Sequence, residues 1–172
     1  METENKDIEH TLVIIKPDGI SRSLTGNILA MLSHPESIIV GAKVVKVTRE
    51  IAIAHYAHLK EKPFFDELID YITGNWHANR VICLVYEGND VIQRVRNIAG
   101  ATNPEEALPN TIRGKYGRIH SKTGVFENTI HCSENKSEAE REIKLWFRPE
   151  EIVHNIYPVE SKTDTLEHLY WK

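Results

Sequence analysis

The chain has 172 residues, of which 41% are hydrophobic and 27% charged. A chain this long can bury roughly 70% of its unfolded surface, and its composition is that of an ordinary folded protein, which excludes intrinsic disorder and dependence on disulfide staples. Lys plus Arg number 21 against 25 for Asp plus Glu, and the net charge of −4 excludes attachment to nucleic acid by overall charge, leaving only local basic clusters to meet phosphates.

Residues 1–9 are a polar, acidic extension without the apolar stretch of a signal peptide. No run approaches the ~18 apolar residues of a membrane span, so a cytoplasmic protein is expected. Thr11 to Lys16 (TLVIIK) is a β-rich run that reads as a buried first strand, ended by a Pro17-Asp18-Gly19 turn. Leu24, Ile28, Leu29, Met31 and Leu32 recur at helical spacing before His34-Pro35 closes the segment. Ser37 to Val47 alternates partially and predicts a second strand. Thr48 then caps a short helix holding His55, Tyr56 and His58.

Pro63 to Ile72 places Phe64, Leu68, Tyr71 and Ile72 on one helical face. Val81 to Tyr86 (VICLVY) is a third strand, and Gly88-Asn89-Asp90 leads into a helix carrying Val91, Ile92, Val95 and Ile98 that Gly100 ends. Gly100 to Gly124 lacks periodicity and is rich in basic residues, an irregular stretch long enough to suggest function. Asn128 to Ser133 (NTIHCS) reads as a fourth strand and Glu138 to Phe147 as a last helix. The alternation of strands and helices predicts helices packed on a sheet within one domain of residues 1–172. A split βαβ arrangement with an antiparallel sheet and a doubly wound parallel sheet both fit it. Cys83 and Cys132, in apolar runs without CxxC spacing, read as buried thiols of a reducing compartment.

Among short motifs, the chain has no GxGxxG and no HExxH, and Gly117 to Thr123 (GRIHSKT) lacks the glycine a phosphate loop needs before its lysine. His55 and His58, at i,i+3, read as a solvated helix face rather than a metal site. What remains is His131 in a short strand, with fork donors and hydroxyls upstream in Arg96, Arg113, Lys115, Arg118, Thr102 and Thr111, and Lys16 at a strand end. Such groups suit a polyphosphate.

These residues fall in five blocks: Thr11 to Gly19 (TLVIIKPDG), His55-Tyr56 with Lys62-Pro63-Phe64-Phe65, Gly100 to Pro104 (GATNP), Thr111 to Gly114 (TIRG) and Asn128 to His131 (NTIH). In that order and spacing, from about Thr11 to Glu151, the chain resembles the nucleoside diphosphate kinases. The resemblance implies a ferredoxin-like α/β sandwich, βαββαβ, with a four-stranded antiparallel sheet and covering helices. It also implies ping-pong transfer of a γ-phosphoryl group between nucleoside tri- and diphosphates through a phosphohistidine at His131. Glu142 is similar to the residue that orients the histidine, with Ser133 steadying it. Lys16, Arg96 and Arg113 match phosphate-binding positions, Thr102 and Tyr56 hydroxyl donors, and Asn128 a contact toward the sugar. Phe64 matches the aromatic that stacks on the base, with Leu68 beneath and Val125 opposite. Stacking accepts any base, so broad specificity follows. Mg²⁺ is expected on the substrate phosphates with no protein side-chain ligands.

The run Cys132-Ser133-Glu134 departs from the family pattern of a small residue, Ser and Asp, and a thiol beside the nucleophile suggests sensitivity to oxidation. The stretch from Gly114 to Asn128 is longer than usual and is expected to border the base, while the longer Asn75 to Asn79 turn and the tail after Ile152 are expected to alter subunit contacts. In the tail, residues 153–172, Tyr157, Tyr170 and Trp171 are apolar enough to pack on a neighbour, and a homo-oligomer is expected, a hexamer with a tetramer as the alternative. The competing functions are a non-catalytic nucleotide-binding scaffold and a nucleic-acid-binding module.

Overall fold

The computed structural model describes residues 7–161 and 163. Its centre is strand β1, Ile8–Ile15, in which Leu12, Val13, Ile14 and Ile15 are all fully buried. A strand whose alternate side chains are apolar on both faces needs cover on both. Leu12 and Ile14 pack with residues of helices α3 (Arg49–His55), α4 (Phe65–Thr73) and α7 (Lys136–Trp146). Val13 and Ile15 pack with residues of α2 (Thr25–Leu32), α5 (Val91–Ala99) and α6 (Ile112–Tyr116).

The sheet order is β2-β3-β1-β6, with β2 at Ile38–Val45, β3 at Val81–Asn89 and β6 at Ile130–Cys132, and every neighbouring pair is antiparallel. This is the antiparallel ferredoxin-like solution, and the doubly wound parallel alternative is excluded. A bulge between Ile39 and Gly41 interrupts the β2 ladder, and there the C-terminal segment comes alongside. Val153 N–H donates to Val40 O at 2.8 Å, and Ile152 forms an antiparallel bridge with Gly41.

Several elements differ from expectation. Pro17-Asp18-Gly19 opens a short helix, α1 (Pro17–Ser21), because proline at N1 and aspartate in a first turn serve a helix start as well as a turn. β1 begins at Ile8 and β3 runs on to Asn89, since the register pairs Ile8 with Asn89. Helix α7 starts at Lys136, before Glu138, with Asn135 Oδ1 accepting from Glu138 N at 3.0 Å as its cap. The irregular stretch holds α6, capped by Thr111, and a two-stranded hairpin, β4 (Arg118–Ile119) with β5 (Phe126–Glu127).

The two longer-than-usual stretches brace each other within the chain. Trp76 stacks on His120 with centroids 5.1 Å apart, and His77 Nε2 lies 2.8 Å from Oε1 of the buried Glu127, which also accepts from Arg118. Tyr157, expected against a neighbouring subunit, is partly buried against its own core and meets His10 edge-on at 6.0 Å. Tyr170 and Trp171 lie outside the described residues.

Candidate active site

β6 delivers His131 beside Ile14 of β1, and α7 brings Glu142 across to it. Nε2 of His131 stands 3.0 Å from Glu142 Oε1, within ion-pair reach but off the line of a directed hydrogen bond. Ser133 holds the other oxygen: its hydroxyl donates to Glu142 Oε2 at 2.7 Å and accepts from Leu12 N–H at 3.1 Å. The carboxylate is thereby fixed to the central strand. Nδ1 is the nitrogen of His131 left for chemistry. Burial, reinforced by Lys16 and Arg113 and opposed by Glu142, lowers the His131 pKa, so the imidazole is neutral near pH 7. Glu142 stays ionised, because His131, Ser133 and Arg141 together outweigh the burial that would raise its pKa.

Thr129, just before the strand, is buried with φ at +62°. A β-branched residue in the left-handed region is strained. Its carbonyl accepts from Lys16 N–H at 2.9 Å, which joins the end of β1 to the segment entering β6. The Lys16 ammonium, 6% exposed, donates to Asn128 Oδ1 at 2.8 Å, and Asn128 Nδ2 donates to Thr102 O at 2.8 Å. Burial and Arg113 lower the Lys16 pKa to about 8, although Asp18 raises it. Arg113 is buried as well, with its fork donating to Gly100 O at 2.8 Å and Ile130 O at 3.2 Å while its Nε lacks a partner. Gly100 is required there: its φ is +85°, and a Cβ would stand 2.3 Å from Thr111 Oγ1.

Arg96 is half-buried on α5, close enough to lower the Arg113 pKa, and its guanidinium makes no hydrogen bond or ion pair among the described residues. The Tyr56 hydroxyl is also buried without a partner, and the Glu142 charge helps to raise its pKa. Cations and a hydroxyl with donors to spare are what a polyphosphate would satisfy. Phe64 opens α4 and is 45% exposed, an open aromatic face, whereas Leu68 and Val125 are buried together in the core. The Thr102 side chain is exposed.

His55 departs most from expectation. It is 1% exposed, not on a solvated face, and its ring meets His131 in a T at 4.4 Å. The indole N–H of Trp146 donates to His55 Nδ1 at 3.1 Å, so Nε2 carries the proton. Burial, then His131, hold its pKa well below the ordinary value. The overlooked signal is its spacing with Ala52 and Tyr56, which puts three buried residues on one face of α3 and its C-cap. His58 is exposed as expected. Cys132 is buried and its thiol is pushed up by burial, although Arg113 and Arg96 pull it down. A protonated, covered thiol resists oxidation, which runs against the sensitivity expected for it.

The family model described as nucleoside diphosphate kinase matches residues 9–152. The chain belongs to the nucleoside diphosphate kinase family. Its curated relatives include the nucleoside diphosphate kinase of Pyrococcus furiosus, 47% identical over 85% of this chain and 87% of that one. The Bacillus cereus protein of the same name is 44% identical over 85% and 93%. Among solved structures, the chain is similar to the Borrelia burgdorferi nucleoside-diphosphate kinase, a transition-state mimic with bound vanadate and ADP, at a TM-score of 0.75 and 33% identity over 91% of this chain and 94% of that one. It is equally similar in fold, with a TM-score of 0.75, to the halophilic Halobacterium salinarum kinase in complex with CDP, at 38% identity over 92% and 95%. The matched region spans all five sequence blocks, and the tail beyond residue 152 lies past it.

Proposed function

We propose that this nucleoside diphosphate kinase uses His131 as its phosphoryl carrier. The Nδ1 lone pair attacks the γ-phosphorus of a nucleoside triphosphate, the bond to the β,γ-bridging oxygen breaks, and the nucleoside diphosphate leaves with that electron pair. A terminal oxygen of an incoming diphosphate then attacks the phosphohistidine and restores the imidazole. Glu142, held by Ser133, keeps Nε2 protonated and stabilises the positive charge that develops on the ring. The observation that carries this reading is His131 3.0 Å from Glu142 and within the electrostatic reach of Lys16 and Arg113, with Arg96 acting in turn on Arg113.

Lys16, Arg96 and Arg113 neutralise the transferred phosphate, Tyr56 and Thr102 donate to its neighbours, Asn128 reaches the sugar, and Phe64 stacks on the base with Leu68 beneath it and Val125 opposite. Family kinases of this type use a divalent metal, and Mg²⁺ enters here as part of the substrate. The donors around His131 are cationic and suit phosphate oxygens, while the Glu142 carboxylate is engaged with Ser133 and His131. The whole chain acts as one domain in the cytoplasm and assembles as a homo-oligomer, a hexamer before a tetramer. No helix among the described residues is long and apolar enough to cross a membrane. Initial-velocity measurements with ATP and a second diphosphate test the carrier role. Ping-pong transfer predicts parallel double-reciprocal lines, and intersecting lines would contradict it.

A further inference from the structure

Away from His131, two histidines and a glutamate of the described residues converge where the sheet meets the C-terminal segment. His10 on β1 and Glu87 on β3 are direct cross-strand partners, and His154 follows immediately on Val153, which the Val40 carbonyl holds at the β2 edge. His10 Nε2 and His154 Nε2 lie 2.9 and 2.8 Å from the same oxygen, Glu87 Oε2, and the three ligand atoms are within 4.8 Å of one another. From this geometry we propose that His10, Glu87 and His154 form a binding site for a divalent transition-metal ion, with Zn²⁺ the best match.

Two imidazoles and a carboxylate are borderline donors that favour Zn²⁺, Ni²⁺ or Cu²⁺ over the harder Mg²⁺ and Ca²⁺. Bonds of about 2.0–2.2 Å to a tetrahedral ion place ligand atoms roughly 3.3–3.5 Å apart, so small rotations of the three side chains open the group around an ion. His10 and Glu87 are sheltered while His154 is half-exposed, which gives the ion a route in and leaves a water the fourth position. The site is separate from catalysis: His10 is four residues along β1 from Ile14, the partner of His131, or about 13 Å. Its effect is to clamp the C-terminal segment to the sheet, next to Tyr157.

Equilibrium dialysis of the intact chain against Zn²⁺, followed by metal analysis, tests the site. One tightly held Zn²⁺ per chain is expected in the wild type and in His131→Ala, with binding weakened at least about 100-fold in Glu87→Gln and in His154→Ala. His154→Ala removes a half-exposed side chain and leaves nucleotide kinase activity unchanged. Zn²⁺ at a hundredfold excess over its dissociation constant should raise the wild-type Tm by roughly 5–10 °C and leave that of His154→Ala unmoved. The proposal is overturned if the wild type retains no Zn²⁺. It is equally overturned if His154→Ala keeps the ion while His131→Ala loses it, which would place the ion at His55, His131 and Glu142, the other group of suitable composition.

Discussion

His131 and Lys16 sit on opposite sides of neutrality for the same reason, burial that disfavours charge, and the pH profile should show both. As pH falls through the lowered pKa of His131, the ring gains the proton that blocks attack, so kcat/KM declines below the ordinary histidine value of 6.5. As pH rises through about 8, Lys16 loses the charge that receives the phosphate, and kcat/KM declines again. Lys16→Arg, charged throughout, should move the alkaline limb upward, and a limb that stays near 8 would assign it to another group. Glu142→Gln keeps the shape and removes the charge, and kcat should fall about 10²-fold with a smaller change in KM. Peroxide treatment should leave activity intact, because the Cys132 thiol is buried and protonated; inactivation reversed by Cys132→Ser would refute that. At this scale, His131, Glu142 and Ser133 came from the family resemblance rather than from local pattern, since a histidine in a short strand and a glutamate on a charged helix are bland on their own. The burial of His55 was legible in its spacing with Ala52 and Tyr56, but its bond to Trp146, 91 residues away, has no local pattern to announce it.

Helix α7 carries both Glu142 and Trp146, so its start governs the site from a distance. Asn135→Ala removes the side chain that caps Glu138 N–H and should cost about 1 kcal/mol, lowering Tm by roughly 2–4 °C in thermal unfolding. Gly100→Ala forces a side chain into Thr111 at a positive φ and should both destabilise the fold and weaken nucleotide binding, because the Gly100 carbonyl anchors Arg113. The central elements could be read from periodicity, as with the apolar run of β1. Their ends could not: Pro17-Asp18-Gly19 fits a turn and a helix start equally, and the length of β3 depends on pairing with β1. The hairpin between α6 and β6 was hidden because its two strands contribute only two residues each.

For the molecule as a whole, alternating strands and helices describe an antiparallel sandwich and a parallel doubly wound sheet alike, and only long-range pairing separates them. The order β2-β3-β1-β6 is such a fact. The family resemblance pointed to it, and periodicity did not. Assembly belongs to this scale as well. A hexamer of the 19.7 kDa chain should elute near six times that mass, about 118 kDa, in gel filtration. The central claim is the covalent intermediate on His131. Incubation with γ-labelled ATP should give an acid-labile, base-stable label on the wild type, absent from His131→Ala and discharged by any added nucleoside diphosphate, whereas an unlabelled wild type or a labelled His131→Ala would contradict the account.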